Sequence, residues 1–176
     1  MLILITGPAK SGKSEWAEIL AAKSSQQVIY IATGTIDTED TEWQARIDQH
    51  QQRRPSDWLT LEIPIELTTT IRYATDRDCL LIDSLGTWVA NLLEASDQQW
   101  EEIVQDFCIS LQETPATAIL VAEETGWGVI PAYPSGRAFR DRLGSLVRQV
   151  GAIANDIYLV TAGRAINLNQ ISTSLE

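Results

Sequence analysis

The chain alternates short, almost continuously apolar runs with longer stretches in which apolar residues recur every three or four positions. LILIT (residues 2–6), VIYIA (28–32), CLLID (79–83), AILVA (118–122) and IYLVT (157–161) are rich in aliphatic and β-branched residues. Strands buried on both faces read this way, as in a parallel sheet packed between helices. WLTLEI (58–63) predicts a sixth strand, and AINLN (165–169) a short final edge strand. Helical spacing predicts helices over residues 13–23, 40–53, 65–74, 85–94, 98–112 and 136–154. Pro55 and Pro64 mark element boundaries, and Pro64 suits the first turn of a helix. Strands alternating with helices predict βαβ units in a doubly wound, mostly parallel α/β sheet. With no repeat, low-complexity linker or composition break, a single domain over residues 1–176 is expected.

Composition narrows the class. The 176 residues suffice for a substantial core without disulfides or a structural metal, and 44% hydrophobic with 21% charged residues is the balance of an ordinary globular protein. A net charge of −11 argues against DNA, RNA or an anionic membrane as the main partner. It leaves room for a small anionic ligand, because salt screens a distant field and a local cluster of donors outweighs it. Cys79 and Cys108 show no CxxC spacing and read as buried thiols of a reducing compartment. The apolar start is too short for a signal peptide and lacks preceding basic residues, and no run reaches transmembrane length. A cytoplasmic protein is expected.

One motif carries chemistry directly. GPAKSGKS, residues 7–14, follows the first predicted strand and opens the first predicted helix, fitting G-x-x-x-x-G-K-[ST] in its proper context. Backbone N–H groups of such a loop point at nucleotide phosphates, aided by the helix dipole. Gly7 and Gly12 allow close approach, with Pro8, Ala9, Lys10 and Ser11 completing the loop. Lys13 reaches the β- and γ-phosphates, and the Ser14 hydroxyl is a Mg²⁺ ligand. Asp83, at the end of CLLID, is the natural second Mg²⁺ partner, although a helix N-terminal Asp is the alternative. The irregular stretch EETGWGVIPAYPSGR, residues 123–137, follows a strand end, where open α/β sheets bind ligands. Trp127 within it is a candidate surface contact, whereas Trp16, Trp88 and Trp100 lie in helical patterns and suit a core or a subunit contact.

His50 is the single histidine. If residues 40–53 form a helix, Arg46 precedes it by four residues, and Arg53 and Arg54 follow by three and four, on one face. Such a cationic face keeps the imidazole neutral. A neutral imidazole beside guanidinium groups is what attack on phosphorus requires. A solvated histidine on a polar helix, its arginines paired to Asp48 or Glu42, is the other reading, and these residues alone do not decide.

Taken together, these segments resemble the bifunctional adenosylcobinamide kinase/adenosylcobinamide-phosphate guanylyltransferase family of cobalamin biosynthesis. LITGPAKSGKSEWAE resembles the family's P-loop and first helix, followed by YIATG with Thr33 and Gly34. RIDQHQQRRPSDWLTLEIP matches R-I-x-x-H-x-x-x-R-P-x-x-W-x-T-x-E, its last acid being Glu62. LLIDSLGTWVANLL, EETGWGVIP and FRDRLGSLVRQVGAIANDIYLVTAG resemble the family's remaining segments, and the likeness runs along nearly the whole chain. The resemblance implies a RecA-like parallel sheet and a homotrimer. It implies phosphorylation of the corrinoid adenosylcobinamide with ATP or GTP, then transfer of GMP from GTP through a guanylyl-histidine. His50 falls on that histidine, Arg46 on a GTP contact, and Thr33, Gly34, Glu62 and Glu124 on nucleotide-binding positions. Departures from the family pattern are Pro8 for a second Gly, Lys10 for Arg, Glu123 for the Asn of an Asn-Glu pair, and Arg148 for Asn. The competing readings are a P-loop kinase of another small metabolite, and a RecA-like nucleotide-binding regulator without turnover.

Overall fold

The computed structural model describes residues 1–34 and 54–175. The predicted helix over residues 40–53, with Arg46 and His50, lies outside the described residues.

Strand β1 (Leu2–Gly7) leads through the P-loop into helix α1 (Lys13–Ala22), then strand β2 (Gln27–Ala32). After residue 53 come β3 (Leu59–Glu62), α2 (Leu67–Tyr73), β4 (Asp78–Asp83) and α3 (Leu85–Asn91). The chain continues with α4 (Asp97–Glu113), β5 (Thr117–Glu123), α5 (Pro134–Ile153), β6 (Asp156–Thr161), β7 (Arg164–Asn167) and a short 3₁₀ turn, Leu168–Gln170. The seven strands form one sheet in the order β3-β2-β4-β5-β1-β6-β7, parallel except for the last pair. All seven sequence-predicted strands are present within a residue or two of their expected ends.

The apolar runs are continuous because both faces of the sheet are covered. Successive side chains point to opposite faces. On β1, Ile3 and Ile5 join Ala17 and Ala21 of α1, together with Val28, Tyr30, Leu81 and Val121. Leu2 and Leu4 face the other way, into a larger cluster with residues of α2, α3, α4 and α5. The result is a three-layer α/β sandwich. Trp88 is the centre of that larger cluster: its ring lies 4.6 Å from Phe107 and 6.1 Å from Trp100, and its indole N–H donates to the Ile65 carbonyl at 2.8 Å. Trp88 and Trp100 are thus core residues, and Trp16 packs edge-on against Tyr158 at 5.6 Å.

Some local expectations change. Pro64 precedes helix α2 rather than entering its first turn, since the cap is Glu66 and the helix starts at Leu67. Helix α5 starts two residues earlier than expected because Pro134 supplies a fixed φ at its first position. Helix α3 stops at Asn91, whose amide turns back to the carbonyls of Thr33 and Pro64. Cys79 is buried as expected, but Cys108, on α4, is only half-buried against the core. Among the described residues, no helix is long and apolar enough to cross a membrane.

Because β1 to β6 run parallel, their carboxyl ends form one edge. The register aligns Gly7 with Glu123 across β1 and β5, and Ala32 with both Asp83 and Glu62. The β6–β7 turn, Ala162 and Gly163 at φ 50 and 69, lies at the same edge, and the Gly163 N–H donates to the Ser11 carbonyl at 3.3 Å. The P-loop is therefore tied to the sheet from its far side.

Candidate active site

The loop from Gly7 to Gly12 leaves β1 and wraps over the start of α1. Gly7 is obligatory: its φ is 153, and a Cβ there would stand 2.1 Å from the Val160 carbonyl oxygen on the neighbouring strand. Gly12, at φ 98, turns the loop into the helix. Lys10 adopts φ 56 at the exposed crest, whereas Ser11 is buried, its Oγ unpartnered among the described residues. Pro8 lacks an N–H, yet its carbonyl still contributes by accepting from Lys13 Nζ at 2.8 Å. Lys13 is 7% exposed, and burial pulls its pKa below the ordinary lysine value, opposed by the negative charges of Glu123 and then Asp83. Those two carboxylates come from β5 and β4, so three elements converge on one ammonium.

Asp83 is not the cap of α3. Ser84 is, accepting from the Thr87 N–H in a reciprocal capping box. The Asp83 carboxylate is left to face the site, with Oδ2 accepting from the Tyr30 hydroxyl at 3.0 Å. Burial and the Asp83 charge push the Tyr30 pKa up, so the phenol stays protonated and donates. The Arg54 guanidinium lies over the Tyr30 ring, 3.5 Å from its centroid, and donates to Thr60 Oγ1 at 3.3 Å.

Other sequence-predicted residues occupy the same edge in different ways. Thr33 is fully buried; its hydroxyl contacts Thr87, donates to the Ser84 carbonyl at 2.6 Å and accepts from the Ser84 N–H at 2.9 Å. Its side chain braces the turn after Asp83 rather than facing outward. Gly34 follows, half-buried, and Glu62 is exposed at the end of β3. Glu124 gives its N–H to the Gly7 carbonyl at 2.8 Å, and its carboxylate accepts from the Gly126 N–H at 2.9 Å. Glu123 accepts from the Gly86 N–H at 3.0 Å, while Arg148 is exposed on α5. Trp127 is 67% exposed in the loop between β5 and α5. Sequence reasoning missed Tyr30 and Gly86 as parts of the site. Tyr30 sits inside an apolar run and reads as core, and only the pairing of β2 with β4 reveals its partner.

The residues fit Mg²⁺ by donor type. The Ser14 hydroxyl at the start of α1 and the Asp83 carboxylate are hard oxygen donors, the class Mg²⁺ prefers. Among the described residues, no group of three or more His, Cys, Asp or Glu side chains could cage a metal. A cation held by one hydroxyl, one carboxylate and substrate phosphates is the usual Mg²⁺ arrangement.

Comparison with known proteins bears on the fold and the family. Solved structures with the same fold include a prototypical ATPase from the type III secretion system of pathogenic bacteria, TM-score 0.60 at 11% identity, covering 99% of this chain and 59% of that one. EscN, the assembled ATPase of the enteropathogenic E. coli type III secretion system, aligns with TM-score 0.58 at 13% identity over 92% of this chain and 43% of its own. These likenesses establish the P-loop, RecA-like fold. In sequence, the bifunctional adenosylcobalamin biosynthesis protein CobU of Escherichia coli K12 is 36% identical over 96% of this chain and 99% of its own length. The corresponding protein CobP of Pseudomonas aeruginosa is 40% identical over 91% of this chain and 92% of its own. The family model described as cobinamide kinase / cobinamide phosphate guanyltransferase matches residues 3–168. Fold, phosphate loop and sequence agree along the same residues, and the chain belongs to the cobinamide kinase / cobinamide phosphate guanyltransferase family.

Proposed function

We propose that this protein is a bifunctional enzyme of adenosylcobalamin biosynthesis. It phosphorylates the hydroxyl of the aminopropanol arm of adenosylcobinamide and then attaches GMP to that phosphate. The observation that carries the reading is Lys13, seated between the Pro8 carbonyl and the charges of Glu123 and Asp83 at the mouth of a P-loop, in a chain matching that family over residues 3–168. Residues 1–176 act as one nucleotide-binding catalytic domain, working in the cytoplasm as a homotrimer.

In the kinase step the N–H groups of Ala9, Lys10, Ser11, Gly12 and Lys13 cradle the triphosphate, and Lys13 leaves the Pro8 carbonyl for the β- and γ-phosphates. Ser14 and Asp83 would hold Mg²⁺, which supplies charge neutralisation across the phosphate oxygens. Gly34, Glu62 and Glu124 border the nucleotide from the strand ends, and Thr33 braces the turn behind Asp83. In the transfer step an imidazole nitrogen of His50 attacks the α-phosphorus of GTP. A P–N bond forms, the bond from the α-phosphorus to the bridging oxygen breaks, and pyrophosphate leaves. Arg46 steadies the phosphates. The phosphate oxygen of adenosylcobinamide phosphate then attacks the same phosphorus, the P–N bond breaks, and the product is adenosylcobinamide-GDP. Dividing one hard transfer into two is the gain of covalent catalysis.

Intact-mass measurement of the denatured protein after incubation with Mg²⁺ and GTP tests this. A gain of one GMP unit, acid-labile and absent in His50→Ala, is expected. No adduct in protein that demonstrably binds GTP would remove the transferase half of the reading.

A further inference from the structure

We infer that Tyr30 is a positioning residue for the cation site, aiming the Asp83 carboxylate through its hydroxyl and itself held in place by Arg54. This rests on the proposed assignment of Asp83 to Mg²⁺. Tyr30 is 4% exposed, inside the apolar layer beneath α1, where a hydroxyl has few partners to meet. Its hydroxyl instead crosses from β2 to the end of β4 and donates to Asp83 Oδ2 at 3.0 Å. With that oxygen engaged, rotation of the carboxylate is restricted, and Oδ1 is left for the cation. Hydrogen bonds of this kind to a ligating carboxylate set its aim and basicity.

The clamp has three parts that the sheet brings together. Tyr30 and Thr60 are paired residues on β2 and β3. Arg54 spans both, its guanidinium 3.5 Å from the Tyr30 ring centroid and its Nη1 3.3 Å from Thr60 Oγ1. A cation on the ring face fixes the ring plane, and hence the point from which the hydroxyl donates. In sequence, Arg54 stands four residues after His50, so one end of the segment that carries the proposed nucleophile is seated on the residue that aims the cation ligand.

The test is calorimetric binding of a non-hydrolysable GTP analogue, with and without Mg²⁺, to the wild type and three variants. Asp83→Asn checks the underlying assignment: it removes most of the Mg²⁺ enhancement, and if the enhancement survives, Asp83 is no ligand and the inference falls with it. Tyr30→Phe keeps the ring and the Arg54 contact and deletes only the O–H. The expected result is unchanged Mg²⁺-free affinity and roughly tenfold more Mg²⁺ needed for half-maximal enhancement. Arg54→Ala shifts the Mg²⁺ requirement in the same direction by a smaller factor. If Asp83→Asn responds while Tyr30→Phe leaves the Mg²⁺ requirement unmoved, or lowers both affinities equally, the positioning role is overturned. Binding is read out in every arm, so the result does not depend on whether GMP attaches to His50.

Discussion

The backbone N–H of Gly86 donates to Glu123 Oε2 at 3.0 Å, and a Cβ added to Gly86 would stand 2.0 Å from that same oxygen. The glycine therefore makes room for the carboxylate that it also binds. The contact joins the end of β5 to the first turn of α3, just beyond Asp83. Gly86→Ala should push aside the Glu123 carboxylate, the far end of a flexible side chain, and break its bond to the Gly86 N–H. Alanine's better helix propensity partly offsets that loss, leaving a net cost of about 1 kcal/mol. Urea denaturation of the two proteins measures it. A loss below about 0.5 kcal/mol would mean that Glu123 moves aside freely.

Thiol chemistry offers a simpler check on the layers. Cys79 is buried in β4 and Cys108 half-buried on α4, and burial raises the pKa of both. Both thiols are therefore mostly protonated at neutral pH and react slowly. Access separates them, so iodoacetamide on the native protein should label Cys108 well before Cys79. Peptide mass mapping over time reads the order, and equal rates in folded protein would contradict the burial of β4.

Lys13 carries a pH signature. Burial lowers its folded-state pKa below the ordinary 10.5, Glu123 and Asp83 only partly opposing. Between the lowered and the ordinary value the unfolded chain binds more protons than the folded one. The contribution of this group to stability therefore rises with pH through that alkaline window, and below it the charged lysine is a burden on the nucleotide-free protein. Lys13→Met removes the burden along with the phosphate ligand. The variant should be at least as stable as the parent at neutral pH, lose this rise at alkaline pH, and bind nucleoside triphosphate about a hundredfold more weakly. Chemical denaturation at several pH values, with a nucleotide titration alongside, checks both halves. A strongly destabilised Lys13→Met would show that the bond to the Pro8 carbonyl outweighs the desolvation.

Much of this was legible because burial on two faces leaves a plain mark. Runs such as CLLID and AILVA could be nothing but covered strands or short buried helices, and their length chose between the two. The P-loop was legible for a similar reason: its residues act locally, within one turn. What could not be read depends on strand order. Glu123 meets Lys13 and Gly86 because β5 is inserted between β1 and β4, and no periodicity encodes that insertion. Tyr30 looked like core because it is core; its hydroxyl has a partner 53 residues away. Thr33 lay in a recognisable segment, but its hydroxyl braces Ser84 and Thr87 across the β2–β4 pairing, which the segment alone does not reveal.

Glu123 falls where the sequence resemblance implies an Asn, and a carboxylate at this position has a direct electrostatic consequence. It adds a carboxylate beside a site built for triphosphate, while its charge is the larger of the two that oppose the lowered pKa of Lys13. In the nucleotide-free protein that charge is useful, since it compensates a buried ammonium. Once a triphosphate arrives, the phosphates supply the compensation and the carboxylate repels them. Glu123→Gln separates the two roles, because a glutamine can still accept from the Gly86 N–H while shedding the charge. Triphosphate affinity should rise about three- to tenfold at low ionic strength, with a smaller gain at high salt as screening takes over. Glu123→Asn, one methylene shorter, should gain in the same way but give up the bond to Gly86, and so unfold at lower urea than Glu123→Gln. Fluorescence titration of a labelled nucleotide at two salt concentrations decides the matter. If Glu123→Gln binds triphosphate more weakly than the parent at both, the carboxylate is a working part of the site and its charge is needed when nucleotide is bound.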